Sequence, residues 1–414
     1  MNPLPEVASS KSILNRVLLL CSYLQEPIVL YNYIPNADSA TFLENLKLLG
    51  FDFKEREQQL TVFPPQKINK AASLFIKDAG TAYRFLLARL CFIPGGRYKL
   101  KISRQLQKRP IEELITALQN LGAQIEQLSD SIFYIQGTTI KKNKVEVDGN
   151  RSSQFVSALY LLAPLAQKRF EVSVRTKLVS SSYVNLTKQI LADFGIQFSK
   201  GICKNNVVVN PKIYNLEPDY SAMSYFWLLA SMNDFPIYTF YQNSWQPDSK
   251  FWQILRKMGA KTEVLPSKLK MQYRTLQSIQ VDMQNMPDQV PTLAVAALFA
   301  KGKTIISQIQ HLRYKESDRI GNLITELKKL GAEINYKNNK LIITPLSAPP
   351  PTTVLNAHND HRLFMSFYII SKLWPQIEVQ NANCVKKSFP NFLKEVEKIT
   401  NYLAFTQIKK DLFH

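Results

Sequence analysis

Cysteine is scarce in this chain and never paired. The four that occur, Cys21, Cys91, Cys203 and Cys384, lie far apart, which speaks against a disulfide framework or a zinc cluster and leaves reduced cytosolic thiols as the expectation. Long apolar runs are missing too. The stretch ILNRVLLLCSYL is broken by Arg16 and falls well short of the ~20 residues that cross a bilayer. A secretory leader would want a more basic start than MNPLPEVASS. A soluble, cytoplasmic protein with no membrane partner is expected.

Acidic residues are also in deficit, with 32 Asp and Glu against 52 Lys and Arg, a formal charge of +20. Such an excess predicts anionic partners: nucleic acid, an acidic membrane surface, or small molecules bearing phosphates and carboxylates. No basic stripe interleaved with aromatics occurs and the basic residues are dispersed, which argues against a nucleic-acid-binding protein. The remaining composition, 45% hydrophobic and 20% charged, is that of an ordinary globular protein. At 414 residues the chain exceeds what one core usually sustains, so two or more domains are expected.

A duplication supports that count. IEELITALQNLGAQI, from Ile111, and IGNLITELKKLGAEI, from Ile320, share nine of fifteen positions at an offset of 209 residues. Ile111, Leu114, Ile115, Leu118 and Leu121, like Ile320, Leu323, Ile324, Leu327 and Leu330, have the i, i+3, i+4, i+7 spacing of one buried helical face. Each face ends at a glycine, Gly122 or Gly331, able to take the left-handed conformation that stops a helix. The same helix–Gly–strand pattern recurs around Gly50, Gly195 and Gly259, so successive glycines fall 72, 73, 64 and 72 residues apart. Six units of about 70 residues, three per half, would fill the chain. Two similar α/β domains, 10–217 and 218–414 with 1–9, should leave a cleft between them for a ligand.

Several predicted helices open with small, hydroxyl and basic residues: SSKSILNR, DAGTAYRF, GNRSSQF and NDHRLFM. A helix start exposes unpaired N–H groups and a partial positive charge, so such openings outline phosphate or carboxylate sites. Each has a plainer reading as well. Ser10 or Ser12 reads as a helix cap or a ligand. Arg16 and Arg84, one turn into apolar helices, need partners, which protein or ligand can supply. Asp288, in NMPDQVPT, reads as an N-cap or a proton acceptor. His361 reads as a hydrogen-bonded structural histidine.

Ten stretches in order, SKSILNR, DAGTAYR, KRPIEEL, SSQFVSAL, LVSSSY, PDYSAMSYF, MPDQVPTLAVAALFAKG, LRYKESDR, NDHR and KKSFPNF, resemble the enolpyruvyl transferase family, in its branch of 5-enolpyruvylshikimate-3-phosphate synthases. The resemblance implies an α/β fold of two similar domains, each of three βαβαββ units in an inside-out α/β barrel, with the active site in the interdomain cleft. It implies transfer of the enolpyruvyl group of phosphoenolpyruvate to the 5-hydroxyl of shikimate 3-phosphate, with release of phosphate, by a monomer needing neither metal nor cofactor. The two substrates bring roughly five to six negative charges, counting about −1.5 to −2 per phosphate and −1 per carboxylate, which accounts for a basic cleft.

Carried over residue by residue, the resemblance assigns Lys11, Ser12, Arg16, Ser152, Ser153, Gln154, Ser180, Tyr183, Asp288 and Lys315 to shikimate 3-phosphate. It assigns Lys11, Gly80, Arg84, Arg109, Gln154, Arg319, Arg362 and Lys387 to phosphoenolpyruvate, and Asp288, Glu316 and Lys11 to catalysis. Arginine suits the task because its planar fork binds carboxylate and phosphate oxygens in pairs. The UDP-N-acetylglucosamine branch is less similar: it has Lys–Asn at the first site and a Cys before the Arg-Pro motif, where this chain has Lys11–Ser12 and no Cys between Arg104 and Pro110. Departures from the shikimate branch are ASSKS in place of a Pro/Gly-containing turn before the first lysine, a leading strand expected to be short, NADSAT in place of adjacent acids, Phe85 after Arg84 where Pro is frequent, His311 where Asn is common, and a longer loop before Arg109.

Overall fold

The computed structural model describes residues 3–166, 169–205 and 208–412; the outermost residues of the expected domain ranges, 1–2 and 413–414, lie outside these. Two compact units divide the chain, Ala8–Pro218 and Asp219–His414 with Met1–Val7, and each has its own hydrophobic core.

In the first unit, helices α1 (Lys11–Cys21), α2 (Ala37–Leu48), α3 (Gly80–Leu90), α4 (Arg104–Gln107), α5 (Glu112–Asn120), α6 (Ser153–Tyr160) and α7 (Ser181–Asp193) alternate with three four-stranded sheets. Ala71–Ile76, α3, Arg97–Ile102, α5 and the hairpin Gln124–Ser129/Ile132–Gln136 make one βαβαββ unit; Lys144–Val147, α6, Glu171–Val174, α7 and the hairpin Gln197–Ser199/Ile202–Asn205 make another. Each pairs its first two strands in parallel and adds the hairpin antiparallel. The remaining unit starts at α1 without a strand of its own. Its parallel edge strand comes from the far end, Ile213–Asn215 beside Ile28–Tyr31.

The second unit contains α8 (Tyr220–Ala230), α9 (Phe251–Lys257), α10 (Val290–Ala297), α11 (Arg319–Lys328), α12 (His361–Leu373) and α13 (Phe392–Leu412). Among the described residues only its middle repeat, Gln280–Asp282 to Lys340–Thr344, is a complete βαβαββ unit. The repeat before it has a three-stranded sheet, and in the last one α13 stands where a hairpin would follow the parallel pair Thr353–Asn356/Ile377–Gln380. The expectation of three whole repeats is corrected to that extent. Among the described residues no leading strand forms: residues 3–8 are outside any strand and Ser9 makes only an isolated bridge with Pro218. Val7 sits instead in the second unit's core and the Glu6 N–H donates to Glu395 Oε2 at 3.0 Å.

Helices occupy the interior and sheets the outside. All eleven residues of α8 and all eight of α10 are buried, which requires packing on every side. The strands bury one face: Tyr98, Leu100 and Ile102 point inward while Arg97, Lys99 and Lys101 face water. The duplicated helices follow their predicted faces, with Leu114, Leu118 and Leu121 matched by Leu323, Leu327 and Leu330, none more than 1% exposed. Each such side chain contributes ~1.5–3 kcal/mol by leaving water. Ile115 and Ile324 sit at the edge of the face, partly buried. Gly122 and Gly331 stop these helices at φ 103° and 87°. Both helices end in the same i→i+5 bond, Ala123 N–H to the Leu118 carbonyl and Ala332 N–H to the Leu327 carbonyl.

Candidate active site

Three helix starts of the second unit place charged side chains together. Asp318 caps α11 by accepting from the Gly321 N–H at 3.1 Å, which sets Arg319 in the first turn. Asp360 caps α12 by accepting from the Arg362 N–H at 2.9 Å. Asp288 lies in the tight turn Pro287–Gln289 that leads into α10. The N-cap of α10 is Gln289, so the plainer reading of Asp288 fails and its carboxylate serves another purpose.

Arg319 is the hub. Its Nε donates to Asp360 Oδ2 at 2.8 Å, Nη1 to Asp288 Oδ1 at 2.8 Å, and Nη2 to Glu316 Oε2 at 2.7 Å. Burial works against its charge, but Asp360, Glu316 and Asp288 outweigh it and hold the guanidinium protonated. Arg362 Nη2 donates to Asp288 Oδ2 at 3.2 Å, while its Nε and Nη1 are buried without a hydrogen-bond partner among the described residues. The Lys315 ammonium lies 3.8 Å from Asp288 Oδ1, and that of Lys387 3.6 Å from Glu316 Oε1. Burial would raise the Asp288 carboxyl, yet Arg362, Lys315 and Arg319 together hold it well below the usual carboxylate range. The Asp288 side chain keeps 19% exposure and that of Lys315 22%, against 1% for Arg319. The cluster therefore offers an ionised carboxylate and ammonium groups to solvent on an immobile base.

The first unit assembles a second cluster from α1, α3, α6 and α7. A Cβ on Gly80 would lie 2.2 Å from Arg109 Nη1 and 3.1 Å from Arg84 Nη1, so only glycine lets both guanidiniums approach the start of α3. Arg84 is fixed through the Gly80 and Pro110 carbonyls at 3.1 and 2.8 Å. Gln154 Nε2 donates to Thr81 Oγ1 at 3.2 Å, tying α6 to α3, and Gln154 Oε1 is buried without a hydrogen-bond partner among the described residues. Ser152 caps α6 by accepting from the Gln154 N–H. Ser180, at the N-cap of α7, adopts the left-handed φ of 52°, a conformation rare outside glycine and worth noting where a helix start faces a site.

Arg16 is held by protein groups. It donates to Thr187 Oγ1 at 2.7 Å, the Ser12 carbonyl at 2.5 Å, the Tyr183 carbonyl at 3.2 Å and Ser157 Oγ at 3.4 Å, so it fastens α1 to α6 and α7. Burial lowers it to about 10, still a cation at neutral pH. The Ser10 side chain makes no cap hydrogen bond, although Ser10 is the N-cap residue of α1.

Sequence reasoning missed the acids that anchor these cations. Asp38 sits 3.5 Å from the Lys11 ammonium, within the very NADSAT stretch noted for its lack of adjacent acids. Asp360 was hidden in NDHR, where an Asp before an apolar helix signals a cap. Asp248, buried and accepting from Ser221 Oγ, is raised to about 6 by burial and by the nearby Asp288. His361 is fully buried in the first turn of α12. Among the described residues no group of three or more His, Cys, Asp and Glu side chains could hold a metal ion, and no helix is long and apolar enough to cross a membrane.

The sequence profile of the family described as EPSP synthase (3-phosphoshikimate 1-carboxyvinyltransferase) matches residues 5–396. The chain is 35% identical to the 3-phosphoshikimate 1-carboxyvinyltransferase of Buchnera aphidicola subsp. Baizongia pistaciae over 412 residues, covering 95% of each. It is 34% identical to that of Shewanella baltica over 406 residues, covering 94% of this chain and 95% of the relative. The solved EPSP synthase of Acinetobacter baumannii superposes with a TM-score of 0.77 at 20% identity, over 95% of this chain and 94% of that one, which establishes a shared fold. With glycine-accommodated arginines in one unit and an arginine-centred carboxylate cluster in the other, the chain belongs to the EPSP synthase family.

Proposed function

We propose that this protein transfers the enolpyruvyl group of phosphoenolpyruvate to the 5-hydroxyl of shikimate 3-phosphate and releases phosphate, through a tetrahedral intermediate, in the pathway to chorismate. The observation that carries the reading is the Arg319 hub, which presents Asp288 and Glu316 as oriented carboxylates beside Lys315 and Lys387. Family membership supports it.

The first cluster serves binding. Ser152, Ser153, Ser180 and Tyr183 take the phosphate of shikimate 3-phosphate, with Gln154 beside its ring and Ser12 and Arg16 alongside. Arg84 and Arg109, with Arg319, Arg362 and Lys387 of the other unit, take phosphoenolpyruvate, whose carboxylate and phosphate match planar forked donors. Gly80 leaves room for that approach.

Asp288 accepts a hydrogen bond from the 5-hydroxyl and receives its proton. Held well below its usual range in the free protein, it would be a weak base. Substrate phosphates and carboxylate bound to Arg362, Lys315 and Arg319 offset those cations, which raises its affinity for a proton when the substrates are present. Glu316 and Lys11 move the protons at the enolpyruvyl carbons, each positioned group supplying ~10²–10⁴ in rate. Asp38 holds Lys11 in place. The protein acts as a monomer in the cytoplasm.

The test is phosphate release by the purified protein. It requires shikimate 3-phosphate and phosphoenolpyruvate together; release with UDP-N-acetylglucosamine in place of shikimate 3-phosphate overturns the assignment.

A further inference from the structure

Arg89 is a buried cation that the reaction does not use. It lies in the last turn of α3, 5% exposed. Five residues beyond Arg84, it sits about 7.5 Å further along the helix and roughly 140° around it, so it faces a different part of the first unit. Its Nε donates to Ser22 Oγ at 2.9 Å, Nη1 to the Phe92 carbonyl at 3.2 Å, and Nη2 to the Ser22 carbonyl at 3.3 Å. The guanidinium stacks over the Tyr23 ring at 4.7 Å. Every one of these partners is neutral, and among the described residues no carboxylate lies within ion-pair distance. Fixing the end of α1 through Ser22 would need only a neutral donor, with a far smaller desolvation penalty than a buried cation brings. Burial accordingly weakens the hold of Arg89 on its proton.

The side chain lines a cavity of about 540 Å³, within the ~300–1,000 Å³ range of small-molecule sites. Ser22 and Tyr23 stand with Arg89 on one side, and Phe51, Pro65 and Ile68 form apolar walls. These three bonds leave part of the guanidinium's donor set unspent, and Ser22 Oγ, which accepts from Nε, retains its own proton to donate. Among the described residues Arg89 is the only charged one in the lining. One cation suits a monoanion, and the apolar side chains of Phe51, Pro65 and Ile68 across the open cavity from it suit a ring.

We propose that this cavity is a binding site, separate from the Arg84–Arg109 cluster, for a small monocarboxylate bearing an apolar ring, its carboxylate on Arg89 and Ser22 and its ring against Phe51, Pro65 and Ile68. The carboxylate supplies the counter-ion that the fold withholds.

Calorimetric titration of the full-length protein with phenylpyruvate, and with neutral benzamide as the charge control, tests this. Phenylpyruvate binds the unaltered protein and Arg84→Gln alike, and benzamide binds at least about tenfold more weakly. Arg89→Gln weakens phenylpyruvate by about tenfold or more, the loss of one charge-assisted pair. Because Arg89→Gln could also loosen the end of α1, Ile68→Trp provides a second route: it fills the cavity, leaves Arg89 in place and abolishes binding. Failure of phenylpyruvate to bind the unaltered protein, equal affinity for Arg89→Gln or for benzamide, binding retained in Ile68→Trp, or binding lost in Arg84→Gln would each overturn the proposal.

Discussion

In the first unit, Arg16 is held by hydroxyls and carbonyls and Arg84 by the carbonyls of Gly80 and Pro110; in the second, Arg319 lies among Asp288, Glu316 and Asp360. The contrast has chemical consequences. A guanidinium fixed by carbonyl oxygens keeps its full charge for an anion that arrives later. A guanidinium surrounded by carboxylates has little net charge to offer but orients those carboxylates firmly. On the proposed function, the first unit would mainly serve substrate charge, whereas the second would combine cations for phosphoenolpyruvate with carboxylates that Arg319 orients. The division also predicts which substitutions damage the fold and which damage only turnover.

The largest effect should follow Arg319→Ala. It strands the buried Asp360, which is fully enclosed, together with Glu316 and Asp288. Breaking such a buried network by removing one partner costs about 3–5 kcal/mol, so thermal unfolding should fall by many degrees and phosphate release should vanish. Arg84→Gln, which strands no acid through its bonds to Gly80 and Pro110, should leave the unfolding temperature nearly intact. Equal destabilisation by the two substitutions would break the comparison.

Glu316→Gln comes next and isolates chemistry from structure. The amide oxygen can still accept from Arg319 Nη2, so the hub survives while the proton-transfer group is lost. Turnover should drop by ~10²–10⁴ with an unchanged unfolding profile. A Glu316→Gln protein with full kcat would remove that carboxylate from the mechanism.

What could be read in advance follows the range of the interactions involved. The faces of α5 and α11, and the glycines that end them, are local: a 3.6-residue period and a left-handed stop lie within fifteen residues of sequence. The partners of the cations are not local. Arg319 meets Asp360 41 positions later in the chain and Asp288 31 positions earlier. Lys11 meets Asp38 across a helix, a strand and a turn. No periodicity encodes such pairings, and the resemblance named the cations without naming Asp38 or Asp360. The last repeat of the second unit was misjudged for another reason: Phe392, Val396, Ile399 and Leu403, all buried, have the i, i+4, i+7, i+11 spacing of a helix, but a count of six equal repeats left no place for one there.

Arg84→Gln sharpens the binding half of the comparison. Hydrogen bonds to a charged group contribute about 1.5–3 kcal/mol, so the KM for phosphoenolpyruvate should rise by roughly 10- to 100-fold while that for shikimate 3-phosphate moves little. Steady-state kinetics with each substrate varied in turn reads the difference. A fall in kcat at unchanged KM would move Arg84 from binding to chemistry.

The smallest effect concerns His311, a buried group of the second unit at a position where the resemblance leads one to expect Asn. Burial first, and then the positive charge of Lys315, lower it from 6.5 to about 3. The folded protein thus refuses a proton that the unfolded chain accepts below pH 6.5. Stability associated with His311 is therefore present above pH 6.5 and is lost as the pH falls toward about 3. At pH 5 the difference is about 2 kcal/mol. His311→Asn removes that titration, so its stability relative to the unaltered protein should be more favourable by about that amount at pH 5 than at pH 8. Chemical denaturation at the two pH values measures it directly. Because the neutral imidazole adds no charge next to Lys315, turnover at pH 8 should change by less than about threefold, well under the effect expected of a positioned acid or base. A pH-independent difference would show that His311 titrates in the folded protein as it does in the unfolded chain.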